Sequence, residues 1–133
     1  MKRIFVIVLL LVMLFTLTSC GEGYVSSYRA IMLVRQNTTH SCSASFHSLT
    51  GTLVFKVKRT DDGEGAINYS VKVTKGEIRL YYDSLGQKEE LAVVTAGQTV
   101  NTSGGYVEKG YRVYVIIEAT EGTQGEVSVE LNG

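Results

Sequence analysis

The sequence predicts an all-β protein: an antiparallel β-sandwich, jelly-roll-like or immunoglobulin-like, of about seven to nine short strands after an N-terminal signal helix. Apolar and polar residues alternate with a period of two through most of the chain after residue 27, which places successive side chains on opposite faces of a strand. Glycines separate these runs at roughly the spacing of short antiparallel strands. Beyond the apolar N-terminal segment, no stretch has the helical period that a βαβ enzyme fold requires.

The alternating runs define the predicted strands, which cover residues 28–35, 43–48, 52–59, 67–73, 78–82, 91–94, 111–118 and 127–131. The inward, apolar sets of the clearest runs are Leu53, Phe55, Val57; Ile67, Tyr69, Val71, Val73; Ile78, Leu80, Tyr82; Tyr111, Val113, Val115, Ile117; and Val127, Val129, Leu131. Because glycine adopts positive φ without steric cost, turns are expected at Gly63, Gly65, Gly76, Gly86, Gly97, Gly104, Gly105, Gly110, Gly122 and Gly125.

The N-terminus has the three regions of a secretory signal. Lys2 and Arg3 are followed by an uninterrupted apolar stretch over residues 4–15, and then by a short run of small and polar residues before Cys20. The apolar stretch is shorter than the about 20 residues that a transmembrane helix needs. The sequence therefore predicts an exported protein whose signal is removed rather than kept as a membrane anchor.

The end of this segment, Leu17-Thr18-Ser19-Cys20, resembles the lipobox of bacterial lipoproteins. The resemblance implies cleavage before Cys20, a diacylglyceryl group on its sulfur, and acyl chains such as palmitate that hold the protein at a membrane; two chains suffice for stable anchoring. Gly21 stands where an aspartate retains lipoproteins in the inner membrane, which implies the outer membrane if the host is diderm. The predicted organisation is a signal peptide over 1–19, a flexible tether over 20–27 and one β-sandwich domain over 28–133.

Two C-terminal segments, Gly110-Tyr111-Arg112-Val113-Tyr114-Val115 and Gly125-Glu126-Val127-Ser128-Val129, are similar to the closing hairpin of small extracellular β-sandwich modules of the pre-peptidase C-terminal kind. This resemblance extends over the C-terminal half of the chain and implies a non-catalytic appendage or binding domain. It rests on glycine, aromatic and alternation features, so it identifies no functional residue.

Charge and cysteine content restrict the partners and bonds of the exported part. Without Lys2 and Arg3, the 13 basic residues fall to 11 against 13 acidic ones, a formal charge of about −2 that gives no electrostatic basis for binding nucleic acid. With Cys20 lipidated, Cys42 has no partner within the chain, so no intramolecular disulfide is expected. Cys42 is expected to be a small, buried apolar residue.

His40, Cys42 and His47 are the one place where nucleophile and base types gather in the sequence. In a continuous strand His40 and Cys42 share a face, whereas His47 points to the other face. A closed zinc site takes four ligands, and no second histidine or cysteine cluster completes this one. A small envelope metal-binding protein or enzyme centred on these residues is therefore the alternative hypothesis. The leading expectation is a protein without a catalytic site, metal or cofactor.

The segment Asp61-Asp62-Gly63-Glu64 places carboxylates on a glycine-rich loop, which is the chemistry that calcium prefers. Its spacing departs from the EF-hand, and Asp and Gly are equally favoured in solvated hairpin turns. The sequence leaves calcium binding by this loop open.

Tyrosine is the abundant aromatic residue, with eight copies, and tryptophan is absent. Tyr81 and Tyr82 are adjacent and point to opposite faces of a strand, and Tyr114 lies opposite the face that carries Tyr111. Exposed tyrosines can stack on sugars or anchor a protein interface. Tyr81, Tyr82 and Tyr114 are therefore the candidate contacts of a lipid-anchored, non-catalytic binding or structural module, whose partner is an envelope protein or a glycan.

Replacing the proposed lipid attachment site tests the predicted anchor. Cys20→Ala removes the only sulfur in the lipobox, so we expect it to abolish incorporation of labelled fatty acid and to move the protein out of the detergent phase on partitioning. Cys42→Ala is the matched control and should keep both. Unchanged labelling of the Cys20 variant would show that the motif is not a lipidation site.

Overall fold

The protein is an eight-stranded antiparallel β-structure, in a computed structural model that describes residues 24–60 and 65–131. The strands are β1 Ser27–Ile31, β2 Val34–Asn37, β3 Ser41–Lys58, β4 Ile67–Lys75, β5 Glu77–Asp83, β6 Glu89–Thr95, β7 Thr99–Gly104 and β8 Arg112–Leu131. The predicted all-β antiparallel fold and the number of strands are confirmed. None of the described residues lies in a helix long and apolar enough to span a membrane. The predicted signal helix lies outside the described residues.

Two long strands, β3 and β8, pair with each other along nearly their whole lengths and belong to both layers of the sandwich. In layer A, the first part of β3 and the last part of β8 are flanked by β2 on one side and by β4 and β7 on the other. In layer B, the last part of β3 and the first part of β8 are followed by β5 and β6. β1 pairs with residues 48–52 of β3, where that strand passes between the layers.

The change from layer A to layer B occurs at one line across the sheet. The register of β3 and β8 shifts between Phe46 and Gly51, where Gly51 has a φ of 111°. Along the same line, β4 passes into β5 at Gly76 and β6 passes into β7 close to Gly97, and both glycines also have positive φ. Bulges and positive-φ glycines let a strand bend sharply, so the sheet folds over and its two halves pack face to face.

The inward faces of both layers form one core. Its buried members from the strands are Cys42, Ala44, Phe46, Leu49, Leu53, Phe55, Val57, Ile67, Tyr69, Val71, Val73, Ile78, Leu80, Tyr82, Val94, Val113, Val115, Ile117, Val127, Val129 and Leu131. Burying each large apolar side chain stabilises the fold by about 1.5–3 kcal/mol. All the predicted inward sets are buried except for Tyr111, which precedes β8 and is 44% exposed.

Several predicted strand boundaries are wrong for one physical reason. Runs 43–48 and 52–59 are parts of the single strand β3, and runs 111–118 and 127–131 are parts of β8. A glycine that ends a strand and a glycine that bends one look alike in sequence, because both need the same backbone freedom. The strand β7 was not predicted, since its residues lack apolar alternation.

The predicted strand 28–35 is divided into β1 and β2, which share one register on β3. Ile31 lies opposite Ser48 and Val34 lies opposite Ser45, so the break between them neither adds nor removes a residue. Met32 at the break has a φ of 54°, which is unusual for a residue other than glycine. This edge exposes Ile31, Met32 and Val34.

The bend in β3 predicts a large stability difference between two Gly→Ala variants. At Gly51 an added Cβ collides with the carbonyl oxygen of Ser27, whereas at Gly97 it meets no atom within 4 Å. Gly97→Ala should lower the free energy of unfolding by about 1–2 kcal/mol, from positive φ alone. Gly51→Ala should cost about 1–3 kcal/mol more, because backbone atoms must also move.

Urea denaturation of residues 21–133 measures both values. Equal losses in the two variants would contradict a steric requirement for glycine at the bend of β3.

Candidate functional site

The outer face of layer B brings two of the three predicted tyrosines together. Tyr81 on β5 is opposite Ile116, and Tyr114 on β8 is opposite Asp83, so both tyrosines point away from the core on neighbouring strands. Both are half-buried. The pairing thus unites residues that are far apart in sequence, and their role in binding a partner stays a prediction.

Tyr82 points the other way, into the core, and is 7% exposed. Its hydroxyl donates a hydrogen bond of 2.6 Å to Glu89 Oε2. Burial, together with this bond to a carboxylate, raises the pKa of Tyr82 above its ordinary value. The side chain therefore offers a partner little surface, and it contributes to the packing of the core.

The chain before β1 packs across the outer face of layer B. The backbone N–H of Val54 donates to Ser26 Oγ at 2.9 Å. The Tyr24 ring meets the Tyr114 ring edge-on, with centroids 5.3 Å apart. The Tyr24 hydroxyl donates to Asp83 Oδ2 at 2.6 Å, and this hydrogen bond is the largest cause of the raised pKa of Tyr24. The described end of the predicted 20–27 tether is therefore in contact with the domain.

Asp83 accepts hydrogen bonds from two separate parts of the chain at this contact. It is 5% exposed, and while Oδ2 accepts from Tyr24, Oδ1 accepts from the Gly86 backbone N–H at 2.7 Å. One carboxylate thus fixes both the N-terminal segment and the turn that follows β5. Each oxygen of this buried carboxylate therefore has a hydrogen-bond partner within the protein.

A groove of about 620 Å³ lies beside Asp83. It is lined by Tyr24, Asp83, Ser84, Gly86, Gly110, Tyr111, Arg112 and Tyr114. Leu85, which lies between two lining residues in the chain, is 71% exposed. Aromatic rings, a hydroxyl, a carboxylate and a guanidinium around a cavity of this size are suited to a small ligand that has both apolar and polar surfaces.

Lysines on the same outer face contact two of the tyrosine rings. Lys88 Nζ lies 4.2 Å from the centroid of the Tyr81 ring and bonds Glu118 Oε1 at 2.8 Å. Lys56 Nζ lies 5.4 Å from the centroid of the Tyr114 ring. Lys88 therefore occupies part of the ring surface of Tyr81, which does not line the groove.

Of the eight residues that line the groove, the sequence interpretation proposed only Tyr114 as a contact. The residues that it missed include Tyr24, Asp83, Tyr111 and Arg112. Tyr24 fell within the predicted tether, and Tyr111 was assigned to the core because it continues the inward alternation of β8. Asp83 ends a strand, where an acidic residue is ordinary. The sequence does show two tyrosines, Tyr111 and Tyr114, around the start of β8. Only the register of β5 on β8 brings Asp83 next to them.

The structure does not bring together His40, Cys42 and His47, the residues of the alternative metal or catalytic site. Cys42 is 3% exposed in the core, and burial raises its pKa to about 12. His47 points to the opposite, exposed face of β3, and His40 precedes that strand and is also exposed. No group of three His, Cys, Asp or Glu side chains within 24–60 and 65–131 is arranged to hold a metal ion. The predicted buried, apolar role of Cys42 is confirmed.

Two other predicted sites, Cys20 and the segment Asp61-Asp62-Gly63-Glu64, lie outside the described residues. Lipidation of the first and calcium binding by the second stay predictions.

Comparison with known proteins gives distant structural likenesses. No protein family model and no curated protein matches the sequence. Similar solved structures include Drosophila melanogaster CENP-C bound to CAL1, with 15% identity, a TM-score of 0.37 and 83% of each chain covered. A mutant family 29 carbohydrate-binding module complexed with mannohexaose has 10% identity and a TM-score of 0.41, with 84% of this chain and 79% of that chain covered. Likeness at this level carries no information on function.

The burial of Cys42 predicts slow thiol chemistry. Since the thiolate is the reactive form, a pKa of about 12 leaves about 10⁻⁴ of the thiol ionised at pH 8. In residues 21–133, where Cys42 is the only cysteine, we expect reaction with Ellman's reagent to be at least about 100-fold slower in buffer than in denaturing urea. Comparable rates in the two solvents would reveal an accessible, activated thiol and revive the alternative site.

Proposed function

We propose that this protein is a non-catalytic binding module that takes a glycan into the groove beside Asp83, and that it works at a membrane surface through lipid on Cys20. The observation that carries the proposal is the lining of the groove: the tyrosines Tyr24, Tyr111 and Tyr114 next to the polar groups of Ser84, Asp83 and Arg112.

This combination of groups matches the chemistry of a sugar ring. A pyranose has C–H-rich faces, which pack on aromatic rings, and a rim of hydroxyls, which bond to polar side chains. Tyr111 supplies an exposed ring, and Tyr114 is held by Tyr24 on one side and by Lys56 over its ring. Since Asp83 fixes Tyr24 and the turn at Gly86, the groove is largely formed before a ligand arrives, which lowers the entropic cost of binding.

The groove supports binding better than hydrolysis. Cleavage of a glycosidic bond ordinarily uses two carboxyl groups on either side of the bond. Among the described residues that line the groove, Asp83 is the one carboxylate, and both of its oxygens accept hydrogen bonds from the protein. The described lining therefore lacks the second carboxyl group that this reaction ordinarily uses.

The proposed anchor keeps this groove close to the bilayer. Only residues 21–23 lie between Cys20, the proposed lipidation site, and Tyr24, which is itself part of the groove wall. At roughly 3.3–3.6 Å per residue, the four steps from Cys20 to Tyr24 span at most about 13–14 Å. The glycan is therefore one found at the envelope surface, and in a diderm host the expected site is the outer membrane.

Glycan binding by residues 21–133 tests the proposal. This segment contains all eight strands and the whole described core, and it lacks the proposed lipid attachment site. We expect a glycan array to give ligands, confirmed by isothermal titration calorimetry. Tyr111→Ala should weaken the best ligand about fivefold to tenfold, because a buried aromatic contact contributes about 1 kcal/mol or more.

Tyr28→Ala is the matched control, since Tyr28 is 36% exposed on the edge strand β1 and does not line the groove. It should leave the affinity unchanged. Equal weakening in the two variants, or no glycan bound by the wild-type domain, would reject the groove as a glycan site.

A further inference from the structure

One end of the outer face of layer B carries positive charge that described residues do not neutralise. Lys58 on β3 and Arg112 on β8 are directly opposite each other, and both point outward because Val57 and Val113 beside them are buried. Lys56 lies one step along the same face, opposite Tyr114. Like charges in direct cross-strand opposition destabilise a sheet, so their presence calls for a reason.

Two acidic residues of this face, Asp83 and Glu118, are already engaged. Asp83 accepts hydrogen bonds from Tyr24 and Gly86, and Glu118 is bonded to Lys88. No described residue forms an ion pair with Lys56, Lys58 or Arg112. These three side chains therefore form a basic cluster at one end of this face, and Arg112 lines the groove itself.

We infer that the ligand of this groove is an acidic glycan, whose carboxylate or phosphate pairs with Arg112 while its ring packs on Tyr111 and Tyr114. The inference rests on the proposed glycan-binding function and specifies its ligand class. A guanidinium matches the two oxygens of a carboxylate or phosphate with parallel hydrogen bonds. Lys56 and Lys58 add attraction at longer range, and the anion in turn relieves the repulsion between Lys58 and Arg112.

A matched pair of trisaccharides tests this inference on residues 21–133. Trigalacturonate and its methyl ester have nearly the same size, but only the first is charged. By titration calorimetry in low salt, we expect trigalacturonate to bind at least tenfold more tightly than the ester. Mannose 6-phosphate against mannose forms a second pair, and shows whether phosphate can replace the carboxylate.

Arg112→Gln should remove the preference for the charged sugar, so that trigalacturonate and its ester bind with nearly equal affinity. Arg79→Gln is the control, because Arg79 is a basic residue on the same outer face but is paired with Glu77 and does not line the groove. It should keep the preference. Thermal unfolding supplies the second readout, since Arg112→Gln should leave the melting temperature unchanged or higher once the like-charge pair is gone.

The outcomes separate this inference from the proposed function. Neutral and acidic sugars bound equally, or a preference that survives Arg112→Gln, would overturn the acidic ligand and leave the glycan groove intact. Failure of every sugar to bind overturns both. Binding to phosphatidylglycerol vesicles but to none of the sugars would reassign the basic cluster to a lipid surface, against the inference.

Discussion

The pairing of β3 with β8 is the interaction on which the rest of the structure depends. These two strands are central in both layers, and every other strand except β6 and β7 pairs directly with one of them. Because the pair bends as a unit near Gly51, the inward faces of its two halves are turned toward each other. In a flat sheet these inward residues would all lie on one exposed face. Once the sheet bends, they pack against each other and form a single core. The bend thus turns one continuous ladder of hydrogen bonds into a two-layered fold.

The groove is a consequence of the same pair of strands. β3 ends and β8 begins at the same end of layer B, so the outward residues Lys58, Arg112 and Tyr114 meet there. The inner face of the sheet at that end packs in the core, whereas the outer face carries polar and aromatic groups. Asp83 joins the N-terminal segment to this end of the layer through Tyr24. If Cys20 is lipidated, attachment to the membrane and the position of the groove are linked through a very short stretch of chain.

Tyr81 and Tyr82 illustrate how far local pattern determines a residue's role. The pattern correctly placed them on opposite faces, and Tyr82 lies in the core as its alternation with Ile78 and Leu80 predicts. It gave no information on which outward tyrosine lines a cavity. Tyr81 is instead beside Lys88, a residue brought there by the loop after β5. The inward sets were predictable because burial depends on alternation, whereas the lining of the groove depends on which strands are neighbours.

The sequence by itself determined the all-β class, the faces of most strands and the burial of Cys42, and it predicts lipidation at Cys20. Each of these follows from short-range pattern: a period of two, a run of apolar residues, or a four-residue motif. Only the tertiary structure decided that two pairs of predicted strands are continuous, that β5 lies beside β8, and that Tyr24, Asp83 and Arg112 share one groove. The reason is that register and bending are fixed by contacts between residues far apart in the chain, and alternation is the same for every possible pairing of the strands.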